Sequence, residues 1–163
     1  MTLTDRDKRI HINELQFLQR EINLLQNSYA KNPDTTIGKS ILNLQNAQDK
    51  LYGSLVKNGV TAQDINKIII ENNDKNLIKT IRTLQNSKRT LEKRLENPNL
   101  FPKHRQSLEY TLSQTIQQYS DKWRELTNNP NKTALMKQIE QAQIRATQKE
   151  HDRNRTHEYN RSH

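Results

Sequence analysis

The chain has 163 residues, of which 31% are hydrophobic and 28% are charged, whereas ordinary globular chains are roughly 45–50% apolar. Its 27 Lys and Arg residues outnumber 18 Asp and Glu residues, and it has no cysteine. The composition therefore excludes a disulfide framework, a thiol nucleophile and a thiolate metal site. Apolar runs are far shorter than the ~20 residues of a membrane-spanning helix, and the N-terminus lacks a signal-peptide pattern. We expect a cytoplasmic protein without a membrane span, and secretion as an effector stays open.

The few apolar residues recur at steps of three and four, which is the spacing of one face of an α-helix. Three glycines and four prolines leave little turn material for a sheet of many strands. The sequence therefore predicts an all-α fold. We expect an extended antiparallel helical bundle, or coiled-coil hairpins, followed by a disordered basic C-terminal tail.

Residues 1–32 are predicted to form an N-terminal amphipathic helix. Thr4 and Asp7 have the spacing of a capping pair, and Pro33 ends the segment. A second apolar row runs beside the main one, so this helix is expected to be covered on two sides. That row consists of Ile10, Phe17 and Leu24.

Residues 33–73 are predicted to hold a second helix and a short third one. Gly59 has the position of a glycine that stops a helix, and Thr61 with Asp64 forms another capping pair. The glycine and the following helix imitate a helix-turn-helix motif. Leu55 and Asn58 are too large and too polar at the two positions that this motif constrains, so we favour a plain helix stop.

The remaining chain is predicted to form a hairpin, a weak helix and a tail. Residues 74–128 contain a basic helix and, after a proline-flanked turn at 97–102, a helix that folds back antiparallel. A weaker helix is expected over 129–145. Residues 146–163 have no apolar periodicity and are predicted to be disordered.

The basic helix carries most of the excess charge. Residues 75–105 contain nine Lys and Arg residues against Glu92 and Glu96, a balance of +7 within a total of +9. Five cations align on one face of the predicted helix, and we call them the basic ribbon: Lys75, Lys79, Arg82, Arg89 and Lys93. Lys88, Lys103 and Arg105 extend this candidate nucleic-acid-binding set.

The opposite face of the same helix is apolar and is predicted to join helices, including those of a second copy. Narrow apolar faces bury little area per residue, so self-association would add stability. This candidate oligomerisation seam consists of Leu77, Ile81, Leu84, Leu91 and Leu95.

Catalytic patterns are missing from the sequence. The Gly38-Lys39-Ser40 triplet has Pro33 where a phosphate-binding loop needs glycine, and no nucleophile has an adjacent base. We therefore expect no enzyme activity, no cofactor, no metal and no small-molecule substrate.

Two functions fit these features. The first is an accessory protein that binds nucleic acid through its phosphates, independently of sequence, in a plasmid, phage or mobilisation system. The second is a helical protein-interaction module, such as an adaptor, scaffold or secreted effector, whose basic helix meets an acidic protein partner. A homo-oligomer is expected in either case.

Overall fold

The computed structural model describes residues 2–162. Over this range the chain forms five α-helices and no β-strand, which confirms the all-α fold class. The helices are α1 (Asp5–Lys31), α2 (Thr35–Lys57), α3 (Ala62–Leu95), α4 (Pro102–Thr127) and α5 (Lys132–Arg161). The chain divides into two compact units, Met1–Asn73 and Asp74–His163, and the division falls inside α3.

In the first unit, α1 and α2 form an antiparallel hairpin that packs on the first turns of α3. Side chains of all three helices and of the α2–α3 turn share one core: Ile12, Leu15, Leu55, Val60, Ile65 and Ile68. Ile12 and Leu55 are fully buried. The antiparallel order is visible in the hydrogen bond of 2.7 Å from the Gln48 side chain to that of Gln19.

The predicted helix ends of the first unit are confirmed by their hydrogen bonds. The Asp7 backbone N–H donates to the Thr4 hydroxyl at 3.1 Å. Thr61 and Asp64 cap each other, because each backbone N–H donates to the other side chain, at 3.2 and 3.1 Å. Gly59 has a φ of 78°, in the left-handed region where a Cβ is unfavourable, and it ends α2 as predicted.

The structure corrects the prediction of separate helices on either side of residues 73 and 74, because α3 runs without a break from Ala62 to Leu95. The polar residues at this point contain no glycine or proline. The Asn72 amide donates to the side chains of Asn13 and Gln16 at 2.7 Å. These bonds satisfy a polar side chain where the apolar pattern lapses, and the helical backbone continues.

In the second unit, the C-terminal half of α3 packs antiparallel to α4, as the short turn at 97–102 predicted. Pro102 begins α4, where its fixed φ suits the first helical position. The buried core joins α3, α4 and α5 through Ile81, Leu126, Leu135 and Ile139. The Asn129 amide in the α4–α5 turn donates to the Asp74 carboxylate at 2.8 Å.

In the structure α5 continues to Arg161, and the disorder predicted for residues 146–163 stays a prediction, with His163 outside the described residues. No glycine or proline follows Pro130, and the segment after Ile139 is rich in Ala, Gln, Lys, Glu and Arg, which favour helix. Every residue from Ile144 to Ser162 is exposed. The apolar pattern correctly marked the end of packing, but helix formation does not need packing at each residue.

Candidate nucleic-acid interface

Packing in the second unit fixes which side of α3 faces outward. Ile81 is fully buried against α4 and α5, and Leu77 and Ile78 pack against the same core. A helix turns by about 100° per residue. The buried position of Ile81 therefore directs residues about half a turn away into solvent.

The positions of the basic ribbon lie between about 80° and 160° around α3 from Ile81. All five of its residues are exposed, and their positions fall within an arc of about 80° at 100° per residue. From Lys75 to Lys93 the ribbon covers about 27 Å of helix at ~1.5 Å per residue. Glu92 and Glu96 lie outside this arc. Among residues 2–162, none of the five cations makes an ion pair.

Lys88 lies outside the arc of the basic ribbon. Its ammonium nitrogen lies 3.8 Å from the Glu92 carboxylate and 5.9 Å from the centre of the Tyr119 ring. A cation near an aromatic face is attracted by the negative potential of that face. Lys88 therefore contacts α4 on the side of α3 away from the ribbon, and its place in the nucleic-acid-binding set stays a prediction.

The two candidates on α4 also differ from each other. Lys103 is exposed in the first turn of α4. Arg105 instead donates from Nη1 to the Leu95 carbonyl at 3.1 Å and from Nη2 to the Asn97 carbonyl at 2.8 Å. Carbonyls in the last turn of a helix have no partner within the helix. Arg105 satisfies them at the end of α3, so its guanidinium has a structural role.

Charge is concentrated in the second unit. Residues 74–163 contain 18 Lys and Arg residues against 10 Asp and Glu residues, a balance of +8. Residues 1–73 contain 9 against 8, a balance of +1. The basic ribbon therefore lies on the unit that carries the positive excess, and the first unit is nearly neutral.

The predicted oligomerisation seam packs within the chain. Ile81 is 0% exposed, and Leu77 contacts the same intrachain core. Leu84, Leu91 and Leu95 are half-buried. α4 of the same chain folds back along this face, and the joining of two copies through the seam stays a prediction.

The aromatic side chains on α4 and just before it lie in two environments, packed and exposed. Tyr119 and Trp123 pack on the core edge to face, with ring centres 6.1 Å apart and an angle of 74° between the planes. This agrees with core packing rather than base stacking. Phe101 and Tyr110 are instead 81% and 68% exposed. Both lie outside the three- and four-residue spacing of the buried face of α4, and the apolar pattern of the sequence did not mark them.

A separate cleft lies in the first unit, between α1, α2 and α3. It has a volume of about 550 Å³, an apolar floor that includes Leu15, Ile65 and Ile69, and an amide rim that includes Gln16 and Gln48. No group of three His, Asp or Glu side chains within residues 2–162 is placed to hold a metal ion. Charged and phenolic side chains also line the cleft, at Arg20, Asp49 and Tyr52.

The carboxyl group of Asp64 is perturbed, and it lies at a helix start rather than in the ribbon. The backbone N–H of Thr61, followed by the Thr61 side chain, lowers the pKa of Asp64 below its usual 3.8. Lys8 and Lys67 act in the same direction. A carboxylate that accepts these bonds is stabilised in its charged form. Asp64 therefore belongs to the cap of α3.

No helix within residues 2–162 combines the length and apolar character needed to cross a membrane. No known family, curated protein or solved structure matches the chain.

Proposed function

We propose that the protein is a non-enzymatic accessory factor that binds the phosphate backbone of nucleic acid through the basic ribbon. The observation that carries this proposal is the exposure of five cations along one face of α3, none of which makes an ion pair within the described residues 2–162. The other face of the helix is committed to packing around Ile81. Such a surface has a fixed orientation and high positive charge, and both features favour a polyanion.

The dimensions of the ribbon suit a duplex. Its length of about 27 Å extends past several phosphates, because double-stranded DNA carries one charge per ~1.7 Å of its axis. Lysine and arginine contacts to phosphates position a protein without reading bases. The arc of the ribbon also contains one exposed amide side chain, Asn86, and a single amide is not a set of base-reading residues. Binding is therefore expected to be independent of sequence and strongly dependent on salt.

The test is the salt dependence of binding to two duplexes of unrelated sequence, measured by fluorescence anisotropy. Five phosphate contacts predict a slope of about −4 to −5 for log affinity against log salt. The double variant Arg82→Gln/Arg89→Gln should reduce the steepness of the slope by about two on both duplexes and leave helicity unchanged. Absence of binding at about 50 mM salt would refute the proposal.

A matched control is available on α2. Lys39 and Lys50 are exposed in the nearly neutral first unit. The double variant Lys39→Gln/Lys50→Gln removes the same charge as the ribbon variant. It should change neither the slope nor the affinity by a comparable amount. An equal loss in both variants would indicate nonspecific attraction by net charge alone.

A second candidate is a protein-interaction module with an acidic partner, and one observation favours it. The row Ile10, Phe17 and Leu24 on α1 is 50%, 52% and 61% exposed, at steps of seven residues. Seven-residue spacing is the repeat with which one helix packs along another. A complex with an acidic protein that survives high salt and is weakened by Phe17→Ser would support this candidate. A homodimer detected by light scattering would instead assign the row to self-association.

A further inference from the structure

The last helix has two parts with different environments. Leu135 and Ile139 are buried in the core of the second unit. From Ile144 to Ser162 every residue is exposed. The 17 residues from Arg145 to Arg161 therefore form about 26 Å of helix, at ~1.5 Å per residue, without burial.

This exposed segment has no apolar face. Tyr159 is its only large apolar side chain, and it is 65% exposed. A helix that is polar all round and of this length is marginal in water by itself. Its helical state consequently depends on local charge interactions and on any partner that binds it.

Three cations of the segment share one face of the helix. Arg145, Lys149 and Arg153 follow one another at four-residue steps, and Thr156 and Asn160 continue the same face. Glu158 lies on the opposite side, Glu150 lies about 100° from the centre of the basic face, and Asp152 lies at its edge. Arg155 and Arg161 lie outside this face. Among residues 2–162, the three cations make no ion pair.

Repulsion between these cations acts against the helix in the free protein, whereas Asp152 and Glu150, three residues from Lys149 and Arg153, act in its favour. Like charges four residues apart destabilise a helix, and Arg145, Lys149 and Arg153 make two such pairs. A polyanion placed along this face would remove the repulsion and neutralise all three charges. Binding and helix stabilisation are therefore coupled at this site.

We propose that residues 145–161 are a second nucleic-acid contact, a helix that is stabilised when its basic face lies in the major groove of duplex DNA. The inference rests on the function proposed above and adds a separate element to it. A lone helix with its side chains is about 10–12 Å across, which matches the ~12 Å width of the major groove of B-form DNA. The major groove of duplex RNA is too narrow for this entry.

The helical state of the segment is measured by amide hydrogen exchange of the full chain, with and without a DNA duplex of about two turns. Amides of residues 145–161 should exchange at least about ten-fold more slowly in the complex, because the bound helix opens less often. Unchanged exchange in a complex that forms through the ribbon would overturn the inference. Equal protection by duplex RNA or heparin would also overturn it, since neither offers this groove.

Variants separate the two contacts. Lys149→Gln/Arg153→Gln should reduce the salt slope by about two, independently of Arg82→Gln/Arg89→Gln, and the four changes together should reduce it by about four. Lys39→Gln/Lys50→Gln is the control with equal charge loss. If the parent protein binds DNA and the slope of log affinity against log salt falls only in Arg82→Gln/Arg89→Gln, this inference fails while the proposed function stands. If the parent does not bind at all, both fail.

Discussion

The guanidinium of Arg105 in α4 donates a hydrogen bond of 3.1 Å to the carbonyl oxygen of Leu95, the last residue of α3. A second bond of 2.8 Å reaches Asn97 in the turn. Arg105 thereby joins α3 and α4 at the turn, whereas the sequence alone places this side chain in the binding surface. This contact separates a structural cation from the cations that are available to a partner.

Replacing Arg105 with Gln should destabilise the protein by about 1–2 kcal/mol, because charge-assisted hydrogen bonds to otherwise unpaired carbonyls are lost. Urea unfolding measures the change. Lys103→Gln is the control: its exposed side chain should contribute less than about 0.5 kcal/mol. If Arg105→Gln instead leaves stability unchanged and weakens nucleic-acid binding, Arg105 is a phosphate contact after all.

Ile81→Ala should destabilise the second unit by about 2–5 kcal/mol, since Ile81 is fully buried with Leu126 and Ile139. Leu84→Ala, at a half-buried position of the same face, should cost less. Thermal unfolding and light scattering should be recorded together. The mass of both variants should equal that of the parent. A halved mass would show that this face joins two copies, as the sequence predicted.

Asp64 should make stability depend on pH at acidic values. Its pKa is lowered in the folded state, so its contribution is fully present above the unfolded pKa of about 3.8 and is lost as pH falls through the lower folded value. Asp64→Ala removes this contribution. The difference in unfolding free energy between parent and variant should be constant near neutral pH and should narrow below about pH 4. A difference that stays constant to pH 2 would contradict the capping role.

Truncation after Ile144 should leave the thermal midpoint of the remaining chain within experimental error of the parent. The removed residues are exposed throughout, and segments without buried contacts contribute little to global stability. Limited proteolysis of the full chain should cut first within residues 145–161 and leave a stable product. A midpoint several degrees lower after truncation would mean that this part of α5 packs on the bundle.

Local features of the fold were predictable because they depend on residues close in sequence. The caps Thr4 with Asp7 and Thr61 with Asp64 need only a hydroxyl and a carboxylate three residues apart. Gly59 needs only its own backbone freedom. The continuity of α3 past residue 73 was missed because it involves side-chain bonds from Asn72 to α1, which are distant in sequence.

The sequence by itself determined which residues share a helix face, because the helical repeat is a property of the local backbone. The separation of Leu84 from Lys75 and Lys93 on opposite sides of α3 follows from that repeat alone. Only the tertiary structure decided what lies opposite each face. Lys88 meets Tyr119, and Arg105 meets Leu95, because α4 returns along α3 at a particular distance and rotation. That placement results from packing of the whole unit around a common core, and no local spacing encodes it.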